Sequence, residues 1–368
     1  MRLLLLSPHP GVSGPLPKHT PLLIDALRAA GCDVTSVPWG RHSDTERRMT
    51  KIVERFRDIV GVRSLVSKNE KFEVMVVKTS LEWMSLLRDV PLLVSVRRRV
   101  PTLVVQFHGG HPDRLLPSGH RFFKAASRFL LRLSDGVLVL SSEEARGVSA
   151  FSPSTPVEVV VNPFLAREDE ADDSAAAETA GIPTVLFAGR LVEEKGILDT
   201  VDAFALLRDR RPCRLLVAGR GPAAGEVAAR LEARGLSDDA TVAGQLSHAD
   251  VTAAYRASDV FVLPTYWGEG FPTAIAEAMN AGLPIVTTKL RGMADHLVDG
   301  VNGIFVPPRA PAALAEAIER LLADDELRRR MASANKAKVR DFAPDAAAEI
   351  YLQALARITG AGARATTS

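Results

Sequence analysis

The chain has 368 residues, 46% of them hydrophobic and 24% charged, a composition that excludes disordered, collagenous and coiled-coil chains and a length that suits two domains. The leading apolar run, Leu3–Leu6, stops at Ser7-Pro8. A signal peptide needs about 7–15 apolar residues and a membrane span about 20, so neither is expected and the chain reads as cytoplasmic. The two cysteines, Cys32 and Cys213, lie far apart, which suits a reducing compartment, and no Cys/His spacing suggests zinc. The net charge of +2 hides an asymmetry: residues 1–167 carry 24 Lys and Arg against 15 Asp and Glu, the remainder 22 against 29. A basic first half points to an anionic partner such as a membrane surface, a nucleic acid or a phosphorylated substrate, unless its surface merely varies.

In chain order, strands are expected at Arg2–Ser7, Asp33–Pro38, Glu73–Lys78, Thr102–Phe107, Gly136–Leu140 and Val157–Val161. They are rich in Val and Leu with little alternation, as in parallel strands buried on both faces. Pro21–Ala30 reads as the first helix, closed by Gly31, with further helices in 44–66 and 117–133. Residues 165–182 are acidic and rich in Ala and Ser, the composition of a linker. Beyond it the alternation restarts, with strands near Thr184–Ala188, Arg214–Ala218, Ala240–Ala243, Val260–Leu263, Pro284–Thr287 and Ile304–Val306. Helices would fill 196–209, 223–235, 248–257, 271–281 and 311–322, and a last helix, 343–358, would complete the first domain. The predicted fold is α/β: a doubly wound first domain over 1–164 and a second over 183–342, facing a central cleft, with a disordered tail at 360–368.

The stretch Pro264–Val286 is the most informative. A strand runs into a loop with Gly268, Glu269, Gly270 and Pro272, and a helix opens near Thr273. Backbone N–H groups and a helix N-terminus at a strand's carboxyl end form an anion site. Glu269 and Glu277 beside it suit hydroxyls of a sugar or ribose better than phosphate alone. The alternative for Glu277 is a solvated helix position, although Ala274, Ile275, Ala276, Ala278 and Met279 surround it with small or apolar groups. Arg190 ends a strand beside Gly189, and Lys195 follows in a loop; two such cations stabilise a departing nucleoside diphosphate, or else pair with Glu193 or Glu194. His108, followed by Gly109-Gly110 at a strand end, is placed for a ligand crevice.

These residues resemble the retaining GT-B glycosyltransferases of the GT4-like group (glycosyl transferases group 1). The pair Glu269…Glu277 stands in the frame EGFPTAIAEAMNAGLPIV, supported by FAGRLVEEKG at 187–196, LLVAGRGP at 215–222 and DHLVDGVNGIFVPP at 295–308. The resemblance implies that Glu277 holds the ribose of a nucleotide-sugar donor and that Glu269 contacts its sugar. Amides of Gly270, Phe271 and Thr273 would lie near the sugar and diphosphate, Arg190 and Lys195 would neutralise the diphosphate, and His108 would face the donor sugar. The loop 7–20 stands where similar enzymes carry a Gly-rich turn; it departs from the usual form, with Pro10 for one glycine. Gly14 is carried over as donor-binding and His19 more weakly, a structural turn being the alternative. No Asp-x-Asp occurs, so the expectation is a metal-independent transferase with no cofactor besides the nucleotide-sugar co-substrate.

Two basic amphipathic stretches, 46–60 and 114–133, could lie on an anionic membrane or simply pack on the core. Nucleic acid is disfavoured, because the aromatic residues sit on the apolar face. The expected acceptor is a glycan, a lipid-linked sugar or a glycolipid of a cell surface. An epimerase of the same fold and a non-catalytic nucleotide-sugar-binding protein are the rival readings.

Overall fold

The computed structural model describes residues 1–360 except 10, 13, 15, 41–47, 69–71, 111–114, 116–119, 167–180 and 269, with only the backbone of 48–53, 109 and 110. The chain forms two compact units, residues 1–165 with 342–368, and residues 166–341.

Unit 1 is built on a parallel six-stranded sheet: β1 (Arg2–Ser7), β2 (Asp33–Pro38), β3 (Val74–Leu81), β4 (Thr102–Gly110), β5 (Gly136–Val139) and β6 (Val157–Val159), ordered β2-β1-β3-β4-β5-β6. Strands buried on both faces explain the unbroken apolar runs. On one face, Leu3, Leu5, Val74, Val76 and Val104 pack against α1 (Leu16–Ala29) and α13 (Pro344–Thr359). On the other, Leu4, Leu6, Met75, Val77 and Val105 meet α2 (Arg48–Ser67), α3 (Trp83–Val96), α4 (Arg121–Leu133) and α5 (Ser142–Phe151). Gly136 lets α13 come close, since a Cβ there would lie 2.7 Å from the Ile358 side chain.

Several elements differ from the sequence reading. α1 starts at Leu16 rather than Pro21, because Pro17 suits the first turn and Pro21 forgoes only one bond. That extension brings His19 and Thr20 into the helix. α3 and α5 were not expected at all; Pro91 stands inside α3, where proline ordinarily argues against a helix.

Unit 2 repeats the architecture with β7 (Thr184–Ala188), β8 (Arg214–Ala218), β9 (Ala240–Gly244), β10 (Val260–Leu263), β11 (Ile285–Thr288) and β12 (Gly303–Val306), ordered β12-β11-β10-β7-β8-β9. Its helices are α6 (Ile197–Arg208), α7 (Ala224–Ala233), α8 (His248–Arg256), α9 (Thr273–Asn280), α10 (Arg291–His296), α11 (Pro311–Ala323) and α12 (Asp325–Lys338). α10 and α12, short or strongly polar, had no apolar period to announce them. The strand order reverses between β7 and β10, and ligands of open α/β sheets bind at the carboxyl ends of such neighbours.

Candidate active site

In unit 2 the loops after β7 and β10 meet at the reversal point. The Glu194 carbonyl accepts from the Tyr266 and Trp267 amides at 2.9 and 3.1 Å and from Thr265 Oγ1 at 3.0 Å. Gly196, at φ +75°, is needed twice over: a Cβ there would also lie 2.4 Å from the Pro264 carbonyl oxygen. The β8 loop closes in from the other side. A Cβ on Gly219 would lie 1.8 Å from the Gly189 carbonyl oxygen, and one on Gly221 2.2 Å from that of Leu191. The glycines of LLVAGRGP therefore serve backbone packing beneath the β7 loop.

On this platform Arg190 is exposed and has no side-chain partner among the described residues. Arg190 pairs with neither Glu193 nor Glu194; Glu193 accepts from the Tyr266 hydroxyl at 3.0 Å and faces Arg309 at 3.7 Å. Lys195 is half-buried in the single 3₁₀ turn Glu193–Lys195, on the same loop.

Glu277 sits half-buried in α9, whose other residues Ile275, Ala276, Ala278 and Met279 face the core. The sequence reading missed its support. Tyr255 of α8 is buried, its ring 5.5 Å from that of Phe261, with its hydroxyl 3.1 Å from the Ala274 carbonyl and hydrogen-bonded to the Glu277 carboxylate. Burial and that carboxylate raise the tyrosine well above its ordinary pKa, so it remains a donor. Arg291 was missed too. It is a buried cation in left-handed backbone (φ +42°) that donates to the Gly268 carbonyl at 2.6 Å. Gly292 beside it has no room for a Cβ, which would lie 1.8 Å from the Gly270 carbonyl oxygen. Together they shape the loop carrying Gly270, Phe271 and the start of α9 at Thr273. Glu269 lies outside the described residues.

In unit 1, the end of the sheet facing α1 turns polar where the apolar runs stop. Lys78 pairs in register with Gln106, whose Oε1 accepts from the Tyr351 hydroxyl at 3.0 Å. Lys78 is buried and donates to Thr20 Oγ1 at 3.1 Å. Burial lowers its pKa from 10.5 to about 7. His108, two residues beyond Gln106 on the same strand face, is half-buried, and its Nε2 has no partner among the described residues. Burial, then Lys78 and His19, hold it well below the ordinary imidazole value. His19 is lowered to about 4 by burial, Lys78 and Lys18. Both imidazoles are thus neutral at pH 7, suited to hydrogen bonding with hydroxyls. Gly14 lies exposed before α1 at φ +136° with nothing near its Cβ position, so it is the backbone that calls for glycine.

Lys78 was missed because it read only as the end of a strand. A buried lysine of this kind is costly. Between pH about 7 and 10.5 the unfolded chain holds a proton the folded lysine has released, so stability rises with pH across that window. Lys78→Met should abolish the rise and increase the melting temperature at pH 7 by several degrees, measured by calorimetry. An unchanged melting temperature with the alkaline rise retained would show that the charge is compensated.

Residues 3–164 match the family model described as glycosyl transferase 4-like domain, and residues 168–338 that of glycosyl transferases group 1. The alpha-D-kanosaminyltransferase of Streptomyces kanamyceticus is 34% identical over 259 residues, 66% of each chain. A phosphatidyl-myo-inositol mannosyltransferase of Mycobacterium leprae is 38% identical over 175 residues, 46% of each chain. The chain thus spans less than two thirds of the length of these curated relatives. Among solved structures, sucrose-phosphate synthase from Thermosynechococcus elongatus superposes with a TM-score of 0.75 at 22% identity, covering 98% of this chain and 99% of its own. The Anabaena protein HepE, in complex with UDP and glucose, gives 0.71 at 17% identity, covering 97% of this chain and all of its own (100%). At such identities these likenesses establish the fold alone. The two family matches, the two doubly wound sheets and the strand-order reversal place the chain in one family: it belongs to the GT4-like glycosyltransferases of the GT-B fold.

Proposed function

We propose that the protein transfers a glycosyl unit from a nucleoside-diphosphate sugar to a hydroxyl of a glycan, lipid-linked sugar or glycolipid, with retention at the anomeric carbon. The observation that carries this reading is the constellation at the β7/β10 reversal: a carboxylate held by Tyr255 on α9, and a cation without a protein partner among the described residues across the joined loops. Glu277 takes the ribose hydroxyls, Arg190 and Lys195 the diphosphate, the Gly270, Phe271 and Thr273 amides the phosphate and sugar, and Glu269 the sugar hydroxyls. Within unit 1, the neutral imidazole of His108 is suited to a hydroxyl ligand. The acceptor hydroxyl bonds to the anomeric carbon as that carbon's bond to the phosphate oxygen breaks, and the departing phosphate takes the hydroxyl proton on the same face. The two cations stabilise the charge that grows on the leaving group. The relatives named as kanosaminyl- and mannosyltransferases support transfer over epimerisation.

Calorimetric titration against UDP-, GDP- and ADP-sugars tests the donor site; a chain that binds none of them is no nucleotide-sugar enzyme. Because Arg190 and Lys195 carry the charge compensation, turnover should survive EDTA. Loss on chelation that magnesium restores would contradict that assignment.

A further inference from the structure

In unit 1, α2, α3 and α4 lie side by side on one face of the sheet, with α3 in contact with both neighbours. Their inner sides fill the core through Val62, Val66, Leu86, Leu92, Leu93, Val96, Phe123, Leu130 and Leu131. The outer side of α3 is also apolar. Its exposed positions Met84, Leu87, Pro91 and Val94 recur at three- and four-residue steps, one helical stripe without a polar side chain. Met84 is 74% exposed, Leu87 64% and Val94 53%. The outward side of a helix packed on a sheet is ordinarily polar. The neighbours extend the patch, with Phe56 70% exposed on α2 and Phe122 71% exposed on α4. Val60, Trp83 and Phe129 are exposed there as well. So large an apolar surface marks an interaction site.

The charges around it are mostly positive, with Glu82 at the N-cap of α3 an exposed acid at one end. Arg57 and Arg63 of α2 and Arg121, Arg128 and Arg132 of α4 are exposed, and no acidic side chain is exposed on the described residues of the three helices. Asp58 is tied to Arg55 with little of either exposed, and Asp89 is buried against Trp39, Thr79 and Arg88. Two copies meeting through this face would oppose like charges across an apolar seam. An anionic bilayer meets both requirements: acyl boundary for the stripe, phosphates for the flanking cations.

We propose that this three-helix face docks the protein on an anionic lipid bilayer, with Met84, Leu87 and Val94 entering the headgroup boundary and Arg57, Arg63, Arg121 and Arg132 pairing with lipid phosphates. The sequence expectation of membrane contact rested on the basic stretches alone; the structure moves the inserted element to α3. The proposal does not depend on the sugar-transfer reading, because no residue of the candidate active site is involved.

Flotation of the full chain with phosphatidylglycerol–phosphatidylcholine vesicles, against phosphatidylcholine alone, tests it. Binding should be confined to the anionic vesicles and fall steeply with salt. M84S/L87S/V94S and R57Q/R63Q/R121Q/R132Q should each weaken it at least tenfold, with nucleoside-diphosphate affinity unchanged. Should the serine variant fail to fold, L87C carrying an environment-sensitive fluorophore replaces it, and its emission should shift to the blue on anionic vesicles only. The proposal is overturned by wild-type protein that ignores anionic vesicles at low salt, by equal binding to neutral ones, or by a serine variant that binds like wild type. It is equally overturned if the wild type is a dimer that the serine variant dissolves, without vesicle binding, since a second copy then covers the face.

Discussion

Glu277→Ala should weaken nucleoside-diphosphate binding by about 2–4 kcal/mol, roughly 30- to 1000-fold, with little change in melting temperature. A carboxylate that accepts two ribose hydroxyls makes two charge-assisted bonds, each contributing about 1.5–3 kcal/mol, less what solvent recovers. The fold should tolerate the loss, because Tyr255 keeps its contact with the Ala274 carbonyl and the rest of α9 is buried through other side chains. Tyr255→Phe should cost less, since it releases the carboxylate without removing it. Unchanged affinity of the alanine variant in calorimetry would remove Glu277 from the ribose site, whatever the enzyme transfers.

Lys195→Ala should lower kcat by about 100-fold while weakening donor binding far less. The charge on the diphosphate grows as the glycosidic bond to it breaks, so a cation there binds the transition state more tightly than the ground state. Arg190 should behave alike, and the two together should fall short of additivity because they act on one group. Steady-state kinetics beside titration gives the answer. Equal losses in kcat/KM and donor affinity with kcat unchanged would mean that Lys195 only anchors the donor.

Much of this was legible in the sequence, for a physical reason. Strands such as Leu3–Leu6 and Val74–Val77 are covered on both faces and need unbroken apolar runs, and every unit 2 strand begins or ends within one residue of its expected bounds. Glu277, Arg190, Lys195 and His108 could be nominated from sequence because each stands in a local pattern of strand end, glycine or helix start. Residues whose role arises from packing across the chain could not. Tyr255 reaches Glu277 from the preceding helix, Arg291 reaches Gly268 from another β–α connection, and Lys78 of β3 meets Thr20 of α1. Nothing at their own positions marks them. α3 stayed hidden because Pro91 interrupts its sequence, although its exposed side carries Met84, Leu87 and Val94.

The central claim, sugar transfer at the β7/β10 reversal of unit 2, is tested most directly by NMR of the products. The protein would be incubated with isotopically labelled UDP-, GDP- or ADP-sugars and a panel of glycan and lipid-linked acceptors. The account predicts a new glycosidic bond whose anomeric configuration is that of the donor, formed by wild type and lost with Glu277→Ala. A glycoside of inverted configuration would contradict retention. An epimerised sugar, or a donor that is bound and returned unchanged, would contradict transfer itself.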